Sequence, residues 1–333
     1  MSRSQSPSLG LMLLTVLLFI LAISSANMGA LPLSFKTLWE SSLEDPHWQI
    51  WLNIRLPRIL LAILVGSALA MSGAVMQGLF RNPLADSGLL GISSGAALTV
   101  ALTIVVPLSL PASIALYAHI IAAFIGSLLV SFLIFSLNKY NHGNMSKLLL
   151  AGIAINTLCA SFIGVLSYIS DDQQLRQFTI WMMGSLNQIE WPTLIIAASI
   201  IIPVCLLTLS QSRKLNLLQL GDEEAHYLGI NVQRTKFQLL LLSALLIGCA
   251  VALSGVIGFI GLVIPHLVRL RFGGDHSWLL PISALGGACL LLTADTLART
   301  LVAPAEMPVG LITGLIGAPY FLWLILKPSG GRL

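Results

Sequence analysis

Apolar residues run along this chain in unbroken stretches of about twenty, separated by short polar segments, from Leu11 to Leu326. Within the stretches Leu, Ile, Val and Ala follow one another without a period-two alternation. A hydrocarbon layer roughly 30 Å thick takes about 20 apolar residues per helix, and a segment inside it must satisfy its own backbone hydrogen bonds. Continuous runs therefore predict transmembrane helices, and the missing alternation argues against a membrane barrel. Hydropathy places about ten spans, at 9–28, 50–79, 90–107, 113–137, 145–168, 191–210, 236–256, 258–272, 279–300 and 307–326. The predicted fold class is all-α and polytopic, with one transmembrane domain over 1–333. Arg3 ahead of Leu11 to Ala26 has the outline of a secretory leader, but the run is long for one and more membrane follows, which favours an uncleaved first span.

Composition supports lipid as the main solvent: 56% of the 333 residues are hydrophobic and 9% charged, against roughly 25% charged in a soluble domain. Charge also orients the chain. One set of connections carries Arg3, Arg81, Lys139, Lys147, Arg213, Lys214, Arg234, Lys236, Arg269, Arg271, Lys327 and Arg332. The opposite set carries only Lys36, Arg55, Arg58, Arg176 and Arg299. An excess of Lys and Arg marks the cytoplasmic side, so both termini are expected there and the span count is even. The formal charge of +4 then reflects topology, and no nucleic-acid partner is called for. Cys159, Cys205, Cys249 and Cys289 each sit inside an apolar run, without a C-x-x-C pair, as small buried residues do.

The chain has no G-x-x-x-x-G-K-[ST] phosphate loop and no H-E-x-x-H. Its span interiors are almost free of the charges that ion-coupled carriers place at the midplane, where each costs at least about 2.5 to 3.5 kcal/mol. If the chain moves a solute uphill, the energy comes from ions or from a partner, and the scarcity of midplane charge points to a partner. The longest polar stretch, 211–236, sets Leu217, Leu220, Ala225 and Leu228 among charges, with breaks at Gly221 and Gly229. That pattern predicts two short amphipathic helices, either a solvated linker or a docking surface for a cytoplasmic protein. A faint echo, Ala70 to Val75 and Ala252 to Ile257, falls on spans running in opposite directions, as an inverted repeat would.

Two runs stand out. Arg81, Asn82, Pro83, Leu84, Ala85 and Asp86 lead into Gly88, Gly91 and Gly95; Asn82 and Pro83 end one helix and the glycines permit a tight return. Gly258 to Arg269 combines closely spaced glycines with Pro265, which is expected to kink or finish its span. Together with Arg55-Leu56-Pro57-Arg58, Trp181 to Leu186, Ala294 to Arg299, Glu306 to Gly310 and Gly317 to Pro319, these runs resemble the iron-chelate and cobalamin permeases of ABC importers, the FecCD family. The match covers nearly the whole chain. Arg81 to Leu98 and Pro265 to Pro281 are most similar to the haemin permease branch, although Ser87 and Gly274 stand where relatives usually carry proline.

The resemblance implies a type II importer in the bacterial inner membrane. Two copies of the permease, ten helices each, work with two ATPase subunits that bind ATP and magnesium and with a periplasmic binding protein for haem or another iron chelate. This chain itself is expected to hold no cofactor or metal. Leu217, Leu220, Gly221, Ala225, Leu228 and Gly229, within a coupling loop at about 213–234, map onto the ATPase contact. Arg55, Arg58 and Arg299 map onto positions that dock carboxylates of the binding protein, a task suited to bidentate guanidinium groups. Asp295 and Arg299, spaced i, i+4, could instead pair with each other. The fifth and tenth spans line the path in this family, with Tyr168 and Arg176 placed at its mouth. His47, His119, His142, His226, His266 and His276 are expected to be satisfied or solvated and not haem ligands. A ferric siderophore or cobalamin is the alternative cargo.

Overall fold

The computed structural model describes residues 6–29, 46–106, 111–140, 145–187 and 189–326, and among them every regular element is helical. The main helices are α1 (Pro7–Asn27), α2 (Pro46–Leu79), α3 (Ile92–Val105), α4 (Ala118–Tyr140), α5 (Met145–Ile169), α6 (Asp172–Met182) and α7 (Trp191–Ser210). They continue as α8 (Ser212–Leu220), α9 (Asp222–Tyr227), α10 (Val232–Ser254), α11 (Ile260–Phe272), α12 (His276–Thr300) and α13 (Val309–Leu326). α1, α2, α4, α5, α7, α10 and α12 are long and apolar enough to cross a membrane; α3 and α13 are shorter apolar helices. With α11 they account for all the predicted spans, most within a few residues at each boundary.

α2 is the axis of the bundle. Its 34 residues span about 51 Å at 1.5 Å per residue, far more than the bilayer core requires. It is buried along most of its length against α12, α10, α11 and α7. Small residues permit that approach: a Cβ on Gly73 would lie 1.8 Å from the Gly261 carbonyl oxygen, and one on Gly66 would lie 2.4 Å from that of Gly287. Lipid offers no hydrophobic drive between helices, so close backbone packing carries the association. By contrast α1 packs chiefly on α12 and leaves a broad apolar face outward, including Phe19.

The helices alternate in direction, so two ends of the bundle can be named. α8 and α9 lie at one end, beside the last turn of α2 and the first of α12. α6 lies at the other, beyond α5. It is absent from the predicted spans because it is amphipathic and short; its start is fixed by a capping box. The Asp171 carboxylate accepts from the Gln174 N–H at 2.8 Å, and the Gln174 side-chain oxygen accepts from the Asp171 N–H at 3.1 Å.

Two sequence readings change here. The echo of Ala70 to Val75 in Ala252 to Ile257 has no counterpart in local structure: the first copy is mid-helix in α2, whereas the second ends α10 at Ser254. Gly255 adopts φ +68 and sits against the Trp181 carbonyl, a close approach only glycine allows. Pro265 does not finish its span, since α11 continues to Phe272.

Candidate functional site

At the α8 end, the chain leaves α2 through Arg81, whose φ is +48. This conformation turns its guanidinium toward α8 and α9, where Nη2 donates to Asp222 Oδ1 at 2.7 Å and Nε to the Leu218 carbonyl at 3.0 Å. Lys236 of α10 bonds the other Asp222 oxygen. Gln219 donates to the Gly78 carbonyl at 2.7 Å, and Asn216 donates to Asp275 Oδ1 at 2.6 Å. Asp275 also caps α12 through the Ser277 N–H; these bonds, led by the backbone one, hold its carboxyl below the usual carboxylate range. The pair α8–α9 is thereby tied to α2, α10 and α12 together.

The predicted coupling residues fall into two groups. Ala225 is fully buried and Leu217 half-buried, so both anchor the helices; Leu215 and Leu218 complete that apolar underside. Leu220 and Leu228 are more than half exposed, beyond the bundle, and Gly229 beside them is exposed with φ +88. Gly221 joins α8 to α9 at φ +142. Sequence reasoning missed Tyr227, which is 86% exposed next to Leu228. No spacing signal could have found it, because Leu220 and Tyr227 lie on separate helices divided at Gly221. An open cleft of about 830 Å³ lies between α9 and the start of α10, lined by Asp222, Glu223, His226, Tyr227, Gln233 and Lys236 among others.

At the α6 end, Arg55, Arg58 and Arg299 converge, but inward. All three are less than a tenth exposed. Arg58 Nη2 donates to Asp295 Oδ1 at 2.8 Å, Nε reaches both Asp295 oxygens at 3.0 and 3.1 Å, and Nη1 meets Glu306 Oε2 at 2.9 Å. Asp295, itself wholly buried, lies 3.6 Å from Arg299 Nε. Arg299 Nη2 donates to the Ser25 carbonyl at 2.6 Å and to its hydroxyl, while Arg55 Nη1 donates to the Ala26 carbonyl at 2.5 Å. These carbonyls belong to the last turn of α1, whose dipole is negative at that end. In this structure the three groups point inward: burial demands internal partners, and the guanidinium groups have taken them. The helical Asp295–Arg299 contact exists, but Arg58 is the stronger partner of Asp295.

Tyr168, in the last turn of α5, is 90% exposed, and Arg176 is exposed on α6; the structure places both at the α6 end without joining them. Of the histidines, His119 lies 3.1 Å from both Thr103 Oγ1 and Gln177 Nε2, and His276 Nδ1 is 2.8 Å from Asn216 Oδ1. His266 departs from expectation: both ring nitrogens are buried without a partner, beside the Phe321 ring. His142 lies outside the described residues. Among the described residues no group of His, Cys, Asp or Glu could hold a metal ion.

Comparison with known proteins agrees with this architecture. The model of the FecCD transport family matches residues 14–327. The hemin transport system permease protein of Yersinia pestis is 69% identical over 332 residues, covering 100% of this chain and 99% of that protein. A vitamin B12 import system permease protein of Vibrio vulnificus is 38% identical over 86% of both chains. A solved structure described as a metal-chelate type ABC transporter in an inward-facing conformation superposes with a TM-score of 0.86 at 36% identity, covering 95% of this chain and 98% of that one. A transmembrane bundle with an anchored helix pair at one end, matched along its whole length by transport permeases, is a transporter subunit and not an enzyme: this chain belongs to the FecCD transport family.

Proposed function

We propose that this chain is the membrane-spanning subunit of an ABC importer that carries haem iron inward across the bacterial inner membrane. The observation that supports haem is the 69% identity, end to end, to a hemin permease, against 38% to one for vitamin B12. A second copy of the chain completes the path between α5 and α13, which are the least enclosed apolar helices after α1. Outward on α5 stand Thr157, Ser161 and Gly164, small or hydroxyl-bearing residues that suit a path wall better than a lipid face. The α8 end faces the cytoplasm with both termini, as the excess of Arg and Lys there requires. Two ATPase subunits, holding ATP and magnesium, dock on Leu220, Tyr227 and Leu228, and α8–α9 passes their closure to α2, α10 and α12 through Asp222.

A haem-loaded binding protein delivers cargo at the α6 end, where Tyr168 and Arg176 are exposed. Arg176 is suited to a propionate carboxylate. Arg55, Arg58 and Arg299 hold the shape of the docking face from beneath.

The test is cargo-dependent ATP hydrolysis by the complete complex in proteoliposomes. Haem with its binding protein should stimulate hydrolysis more than a ferric siderophore or cobalamin does, and Leu228→Glu should abolish the stimulation. Equal stimulation by all three cargoes would overturn the haem assignment; full coupling in Leu228→Glu would remove α9 from the contact.

A further inference from the structure

Two cavities near the α6 end lie away from α5 and α13 and are lined by none of the residues of those helices. The outer one, about 640 Å³, is polar: Asn53, Arg58, Tyr117, Asn187, Glu190 and Glu306 face it. The inner one, about 490 Å³, is an apolar groove between α4, α7 and α10, walled by Phe124, Ile196, Ala197, Ile200, Cys249 and Leu253 among others. Tyr117, Ile120 and Thr193 line both, so the polar chamber and the apolar groove adjoin, and together they make an amphipathic recess.

Depth identifies the kind of molecule that fits. Along α7 the recess runs from Pro192 to Ile200, about 12 Å by helical rise, close to one leaflet of a hydrocarbon core about 30 Å thick. Ile121 and Ile196 are exposed at its rim, so the groove opens sideways toward the bilayer. The polar chamber sits at the level of Trp48, Trp51 and Trp191; Trp191 Nε1 donates to the Leu52 carbonyl at 3.1 Å, and the rings of Trp48 and Trp51 are 6.0 Å apart. Trp and Tyr gather at the headgroup layer, which puts the chamber where a lipid head lies and the groove where its chain lies.

Charge selects the head. Arg58 is already held by Asp295 and Glu306. Glu190 has no ion pair among the described residues and receives only a long contact, 3.5 Å, from the Tyr117 hydroxyl. Glu306 remains about one-third exposed on its side chain. The chamber thus offers an incoming cation the carboxylate of Glu190, with Glu306, already bonded to Arg58, at its side and the Asn53 and Asn187 amides nearby as donors to a phosphate oxygen. We infer that this recess is a binding site for a zwitterionic phospholipid with a primary-amine headgroup of the ethanolamine type, its ammonium against Glu190 and Glu306 and one acyl chain along α7 and α10.

Native mass spectrometry of the purified full chain, delipidated and then offered dioleoyl phosphatidylethanolamine or dioleoyl phosphatidylglycerol, tests this. The ethanolamine lipid should be retained roughly fivefold or more over the glycerol lipid. Glu190→Gln, at an exposed position, should erase that preference while leaving the chain folded, and Ala197→Trp should close the groove to both lipids. Equal retention of the two lipids by the unaltered chain would overturn the proposal. So would an ethanolamine preference that survives Glu190→Gln, or retention unchanged in Ala197→Trp.

Discussion

Arg58 shows how a buried charge is tolerated at the residue scale. Its guanidinium is spent on Asp295 and Glu306, and Asp295 also lies against the buried Arg299. Removing one partner of such a set costs more than the pair contributes, because a cation is left without compensation in a medium of low dielectric. Asp295→Ala should therefore destabilise the bundle by about 3 to 5 kcal/mol, read as a large fall in the thermal unfolding midpoint of the detergent-solubilised chain. Arg58→Met in the same background should recover part of the loss, since it removes one orphaned cation. An unchanged midpoint in Asp295→Ala would mean that water reaches this cluster freely.

Among elements, the contact of α2 with α11 is set by two glycines facing each other. The 1.8 Å gap between a Cβ on Gly73 and the Gly261 carbonyl leaves no room for any other residue unless the helices part. Overpacking of this kind costs typically about 1 to 3 kcal/mol and shifts backbone. Gly73→Ala should fall within that range by thermal unfolding, whereas Gly274→Ala, where a Cβ meets nothing within 4 Å, should leave stability unchanged. α11 also explains why its span is short. Its 13 residues rise about 20 Å, and the non-helical stretch before it is packed in protein: Gly255 sits on the Trp181 carbonyl, the Val256 carbonyl lies against Gly184 and Gly310, and Phe259 lies against Gly317.

For the whole molecule, the junction at Asp222 is where three helices share one carboxylate. Arg81 brings the end of α2, Lys236 the start of α10, and Asp222 itself begins α9. Asp222→Ala should uncouple these elements: basal ATP hydrolysis by the assembled complex is expected to persist while cargo transport falls about tenfold or more, measured as haem uptake into proteoliposomes. Unimpaired uptake would show that α9 transmits force through its apolar underside alone. The long apolar spans and the helix pair broken at Gly221 were legible in the sequence because each depends on local pattern: about twenty apolar residues suit a membrane helix, and glycine at positive φ ends an amphipathic turn. α6 was not legible, since its mixed composition gives no membrane signal and its start rests on a local cap. Nor was the inward turn of the three arginines, which depends on Asp295, Glu306 and the end of α1, brought together only when distant segments of the chain pack side by side. Sequence by itself determined that this protein is a helical membrane bundle with a polar pair of helices at one end. Tertiary structure alone decided which charges pair, which leucines stay outside and where a recess opens, because each of those is a relation between segments far apart along the chain.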